Sequence, residues 1–115
     1  MNPETVFVTR YVASHDASLA WYEHLFGRPA DARPAPSCRE WRLAADVFFQ
    51  VIELPRRKGE TSVAFSVPDL DAQADRLWDA GIALDAPSGV EGSTTMCCTR
   101  TCDPEGVALG LLKGG

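Results

Sequence analysis

The chain reads as an α+β protein built from two tandem βαβββ modules, and three observations predict this. First, the sequence repeats: Val12 and Val67, Asp16 and Asp71, and Ala17 and Ala72 each lie 55 residues apart. Second, both halves run in the same order, an apolar strand, a helix with an acidic start, a glycine stop and then further strands. Third, 115 residues suit one domain of two such units, the first over residues 1–57 and the second over 58–115.

Residues 5–13 (TVFVTRYVA) are rich in β-branched and aromatic side chains. Alternation puts Phe7, Thr9 and Tyr11 on one face. Ser14 or Asp16 then offers a cap for a helix reaching about Phe26, with Leu19, Tyr22 and Phe26 at helical spacing. Gly27 and Pro29 end it. A weak strand is expected within 29–36, followed by a hairpin of 39–43 and 47–54 around Ala44-Ala45-Asp46. Residues 55–60 read as a polar connector.

The pattern then restarts. Strand Thr61–Val67 leads through Pro68 to Asp69, a good cap for a helix carrying Leu70, Ala74, Leu77 and Trp78 and closed by Gly81. Residues 82–84 are expected as a short strand, 87–92 as a loop, and 94–102 as a longer strand. Asp103-Pro104-Glu105-Gly106 has the residue order of a type I turn, and 107–112 close the module. A four-stranded sheet with one helix covers only one of its faces, so the two sheets are expected to pair around a cavity, a natural place for a ligand.

Composition narrows the function. With 45% hydrophobic and 23% charged residues this is an ordinary globular chain. It has no apolar run long enough to span a bilayer and no secretory signal at its start, so a cytoplasmic location and no membrane partner are expected. A net charge of −5, with Arg56-Arg57-Lys58 as the one basic cluster, argues against nucleic acid. The cysteines, Cys38, Cys97, Cys98 and Cys102, form no C-x-x-C pair, which gives structural zinc little support. They read as reduced, buried, small apolar residues.

Three segments carry a resemblance. Residues 12–27 (VASHDASLAWYEHLFG), residues 63–81 (VAFSVPDLDAQADRLWDAG) and Asp103-Pro104-Glu105-Gly106 before the last strand resemble the vicinal oxygen chelate superfamily. That superfamily includes glyoxalases, extradiol dioxygenases and bleomycin-resistance proteins. The resemblance implies the paired-module fold and, in the superfamily's metalloenzymes, four metal ligands on equivalent strands. Carried onto this chain those positions become Phe7, Glu53, Ser62 and Gly110, of which only Glu53 suits a transition metal. His15 and His24, on the first helix, are expected as surface or packing residues. No metal, no cofactor and no metal-dependent chemistry are therefore expected.

If Glu53 faces inward as in the superfamily, Val51 and Phe49 share its wall. Phe7, Thr9 and Tyr11 line the opening strand, with Ser62, Ala64 and Ser66 opposite and Gly110 leaving space. Trp41 can stack a flat ring at the mouth, and Arg100 can hold an anion or neutralise Glu53 if its face is inward. Trp21 and Trp78 are expected to pack beneath the helices. The resemblance to the bleomycin-resistance branch implies a homodimer that sequesters an amphipathic aromatic molecule, such as an antibiotic, without altering it. A metal-dependent lyase, isomerase or dioxygenase with an atypical ligand set is the alternative. A further one is capture of arsenicals or heavy metals by Cys97-Cys98, a pair similar to that of the organoarsenical lyases.

Overall fold

A computed structural model describes residues 1–85, 88–89 and 97–113. The chain divides into two compact units, one of Phe7–Thr61 and one of Met1–Val6 with Ser62 onward. In the second of these, the Glu4 N–H donates to the Ser66 carbonyl at 2.8 Å.

The first unit contains β1 (Thr5–Val12, from Phe7 on), α1 (His15–Phe26), β2 (Ala32–Ala35), β3 (Cys38–Ala44) and β4 (Val47–Glu53). Its strand order is β2-β3-β4-β1. The expected hairpin pairs Trp41 with Phe49 and Glu40 with Gln50, antiparallel. One face of this sheet packs on α1. Val12, Trp41 and Val51 are buried there, against Leu19, Tyr22, Phe26 and Phe49. The rings interlock, with Phe26 5.3 Å from both Trp41 and Phe49, and Tyr22 5.6 Å from Phe49. Gly27 ends α1 at φ 74°, where a side chain would be strained, and its N–H donates to the Glu23 carbonyl.

The start of α1 differs from the expectation. Ser14 occupies the cap position but makes no side-chain cap bond. Glu53, at the end of β4, instead accepts from the His15 N–H at 2.9 Å. His15 is buried, and its Nε2–H donates to the Val51 carbonyl at 3.1 Å. After β4 a single 3-10 turn, Pro55–Arg57, opens the connector. Arg10 fastens that connector through Nη1, which donates to the carbonyls of Gly59 and Glu60 and to Thr61 Oγ1.

The second unit repeats the plan with β5 (Thr61–Val67, from Ser62 on), α2 (Leu70–Asp79), β6 (Ser88–Gly89), β7 (Cys97–Cys102) and β8 (Ala108–Lys113). Its order is β5-β8-β7-β6. Both units therefore place first strand beside fourth, then third, then second. β5 and β8 run parallel, while β7 is antiparallel to both its neighbours. Val67, Leu70 and Leu111 form the core with Phe65, Leu77 and Leu84. Asp69 caps α2 as expected, its Oδ1 accepting from the Ala72 N–H. In the turn after β7, the Gly106 N–H returns to the Asp103 carbonyl, and Asp103 Oδ1 accepts from the N–H groups of Glu105 and Val107.

Three expectations are corrected: a strand over 82–84, the packing of Trp21 and Trp78, and the burial of Cys102, which is exposed. Residues 82–84 are not a strand; the second module's second strand is Ser88–Gly89. Trp21 and Trp78 do not pack beneath their helices but stand 62% and 72% exposed. The reason is phase: Leu19, Tyr22 and Phe26 fill the stripe of α1 that meets the sheet, and Leu70 and Leu77 fill that of α2. The remainder of the expected loop 87–92, the start of the strand expected over 94–102, and the side chains of Cys97 and Cys98 lie outside what is described. No helix of the described residues is long and apolar enough to cross a membrane.

Candidate functional site

Each sheet has a face covered by its helix and a face that is not. In the first unit the helix-free face carries alternate residues of three strands in register: Phe7, Thr9 and Tyr11 from β1, Phe48, Gln50 and Ile52 from β4, and Cys38, Glu40 and Arg42 from β3. They form three rows across the sheet. In the middle row, Thr9 Oγ1 donates to Gln50 Oε1 at 3.0 Å, and Gln50 Nε2 donates to Glu40 Oε1 at 2.9 Å. A single chain of hydrogen bonds thus ends on a carboxylate that still has acceptor capacity.

The row beside it is aromatic. Phe7 and Phe48 stack with centroids 5.5 Å apart and planes 20° from parallel. The Arg42 guanidinium lies 6.0 Å from the Phe48 centroid, anchored by two hydrogen bonds to the Ala45 carbonyl. On the other side, Tyr11 is buried with the Arg57 guanidinium 3.9 Å over its ring, and Arg57 is paired in turn with Glu60. Phe7, Phe48, Gln50 and Glu40 are half-buried, so the aromatic pair and the polar chain remain within reach of a ligand.

The other sequence-derived candidates of this module stand on the opposite face. Trp41, expected at a pocket mouth, is fully buried under α1 with its Nε1–H donating to the Arg28 carbonyl at 3.1 Å. Phe49 and Val51 belong to the same core. Glu53 is spent on the first turn of α1. The strands alternate as expected but with the opposite parity, because covering α1 needs Trp41, Phe49 and Val51, which leaves Phe48, Gln50, Glu40 and Arg42 to the free face. The signal for them was present in a polar Gln50 interrupting the apolar run VFFQVI, opposite Glu40 across a two-residue turn.

In the second unit, Ser62, Arg100 and Gly110 share the helix-free face with Ala64 and Ser66, since Phe65, Val67 and Leu111 take the helix side. Arg100 therefore lies on the helix-free face. Thr99, its neighbour, is buried on the helix side and donates to the Asp85 carbonyl.

A divalent metal does not fit these donors. On the first unit's free face Phe7 has no lone pair, and the Gln50 amide and Thr9 hydroxyl are already joined to Glu40 and to each other. Glu53, the one ligand-type residue among the four positions that the resemblance implies, faces α1. Among the described residues no three His, Cys, Asp or Glu side chains converge.

An open cleft of about 350 Å³ lies elsewhere on the first unit, between the second half of α1 and the β2–β3 edge, lined by Leu19, Glu23, Arg33 and Arg39 among others. Its Asp31 is taken: Arg28 meets both carboxylate oxygens, at 3.1 and 3.0 Å, and the Arg42 N–H donates to Oδ2. Those hydrogen bonds, Arg28's first, hold the Asp31 carboxyl below its usual range and raise Arg28.

No family model matches the chain, and no curated protein does. Solved structures do. The chain is similar to the NAD-dependent benzaldehyde dehydrogenase of Legionella pneumophila at TM-score 0.74 and 14% identity, over 96% of this chain and 99% of that one. It is similar to a Streptomyces coelicolor methylmalonyl-CoA epimerase variant in complex with 2-nitronate-propionyl-CoA, at TM-score 0.69 and 18% identity over 99% of each chain. A glyoxalase/bleomycin resistance protein/dioxygenase superfamily member from Vibrio splendidus 12B01 matches at TM-score 0.66 and 16% identity, over 95% of this chain and 97% of that one. The fold is therefore the βαβββ fold of the glyoxalase/bleomycin-resistance/dioxygenase superfamily.

Proposed function

We propose that the protein binds a small amphipathic aromatic molecule without altering it, on the helix-free face of the first module. The observation that carries this reading is the Thr9–Gln50–Glu40 chain lying beside the Phe7–Phe48 pair. A flat ring gains stacking area on the two phenylalanines, worth roughly 0.5–1.5 kcal/mol beyond simple burial. Glu40 accepts from an amine or hydroxyl on that ring, and Gln50 fixes the carboxylate so that little freedom is lost on binding. Nothing on this face is arranged as a nucleophile beside a base, which supports sequestration over turnover. Antibiotic resistance by capture, a cytoplasmic location and a homodimer form part of the reading.

The similar structures include enzymes, but at this identity their substrates do not carry over. A nicotinamide dinucleotide in particular lacks its usual cradle, because the strand-to-helix junctions, Ala13-Ser14 and Pro68-Asp69, contain no glycine.

The test is a thermal-shift and calorimetric screen with cationic aromatic antibiotics, followed by mass spectrometry of the recovered compound. Binding at 100-fold above Kd adds about 2.7 kcal/mol of stability. The expected hit loses its shift in Glu40→Gln and Phe48→Ala, keeps it in Glu53→Gln, and is recovered unchanged. A hit that depends on Glu53, or one returned chemically altered, overturns the reading.

A further inference from the structure

The second module's helix-free face is built from small side chains around one arginine. Ala64 on β5 pairs with Gly110 on β8, and Gly110 pairs with Arg100 on β7, so these three form one row across the sheet. With one methyl group and one hydrogen in adjacent places, the row carries little side-chain bulk over two strand spacings, roughly 9–10 Å, and Gly110 at its centre is buried. Arg100 stands at one end of it. Ser66 lies diagonally across Gly110, one step further along β5, in the row that continues to Leu112.

Two polar groups on this face lack partners among the described residues. Arg100 is exposed, and its guanidinium makes neither an ion pair nor a hydrogen bond there. Ser66 is only 7% exposed, yet its hydroxyl has no partner there either. Among the described residues no side-chain nitrogen or oxygen is both fully enclosed and unpartnered, so the Ser66 hydroxyl keeps some exposed surface. The surroundings, Ala64, Ala108, Gly110 and Leu112, are apolar and do not compete for either group.

We propose that this face binds a flat organic monocarboxylate, independently of the first module's site. The carboxylate takes the two-pronged contact that a guanidinium offers, Ser66 donates to an oxygen of the ligand, and the body lies over Ala64 and Gly110. One guanidinium balances one negative charge, which favours a carboxylate over a phosphate dianion in a chain whose net charge is already −5.

The experiment is an amide-correlation NMR titration of the full chain with benzoate, its neutral counterpart benzamide, and inorganic phosphate. Benzoate is expected to move the amides of 64–66, 100 and 108–112 in a saturable way, with benzamide weaker by about tenfold or more. Arg100→Gln, at an exposed position, is expected to keep the native spectrum and lose benzoate about tenfold, with Arg100→Lys intermediate. Ser66→Ala is expected to cost a few-fold, and Ala64→Leu to block binding by adding bulk beside Gly110. Benzamide binding as well as benzoate, benzoate binding unchanged in Arg100→Gln, or shifts confined to other residues would overturn the proposal. Phosphate saturating the same amides at lower concentration would overturn the carboxylate assignment.

Discussion

The two modules share a strand order and differ in almost everything that fills it. Under α1 the sheet is covered by rings: Trp41, Tyr22, Phe26 and Phe49 interlock around Val12 and Val51. Under α2 the cover is aliphatic, with Val67, Leu70, Leu77, Leu84 and Leu111 around the single ring of Phe65. The helix-free faces differ in the opposite sense of crowding. The first carries Phe7, Phe48 and Arg42 in one row of contacts and Gln50 and Glu40 in another, whereas the second offers Ala64, Ser66 and Gly110 beside an Arg100 with no side-chain partner among the described residues. A duplicated backbone has thus been furnished once with large, pre-connected side chains and once with small ones. Topology is common property, while chemistry belongs to each module alone.

The comparison breaks most visibly in the cores. Trp41→Ala removes a side chain with no exposed surface and is expected to cost roughly 3–5 kcal/mol, read from urea unfolding. Leu111→Ala, its counterpart beneath α2, is expected to cost less, about 2–4 kcal/mol. If the aliphatic core proves the more costly to hollow out, the ring network is not what holds the first module.

The helix starts sharpen the contrast at a smaller scale. Asp69→Ala removes a local cap and is expected to cost about 1 kcal/mol. Ser14→Ala, at the equivalent position of α1, is expected to change stability by less than about 0.5 kcal/mol, because its hydroxyl makes no cap bond. Glu53→Ala takes the role of the cap mutation there, at about 1 kcal/mol. Equal effects of Ser14→Ala and Asp69→Ala would place the cap back at Ser14.

The smallest expected effect is electrostatic. The Asp31 carboxyl is held low by Arg28, so it adds stability above the ordinary carboxyl range and loses it as pH falls through the lowered value. Asp31→Asn is expected to lower the melting temperature slightly at neutral pH and to melt with the unaltered protein well below about pH 3. Salt should shrink the difference, since both partners are exposed.

Most of the architecture was legible in the sequence. The 55-residue offset, the Asp69 cap, the Gly27 stop and the Asp103–Gly106 turn are local or periodic signals, and each corresponds to an observed feature. The faces of the candidate site were legible in part. Alternation puts Phe7, Thr9 and Tyr11 together on β1, as observed, and Ser62 and Gly110, placed only by the resemblance, share the helix-free face of the second module. Glu53 misled because a carboxylate at a strand end is chemically ambiguous: it can face a ligand or cap a helix. Only the partner, His15, decides between them, and it lies 38 residues away in sequence. With Glu53 as the anchor, the parity of β4 came out inverted, and Phe48 and Gln50 were lost with it. Trp78 failed for a related reason, since a helical stripe in sequence does not say which edge of the stripe meets the sheet.

The long-range cap on α1 also bears on the order in which a nascent chain can settle. The second helix carries its own start signal three residues from the amide it serves, so it is specified as soon as it leaves the ribosome. The first helix gains its start contact only once β4 has been made, because that contact comes from the last residue of the strand. The half synthesised first is thus the one whose helix start depends on the more distant contact.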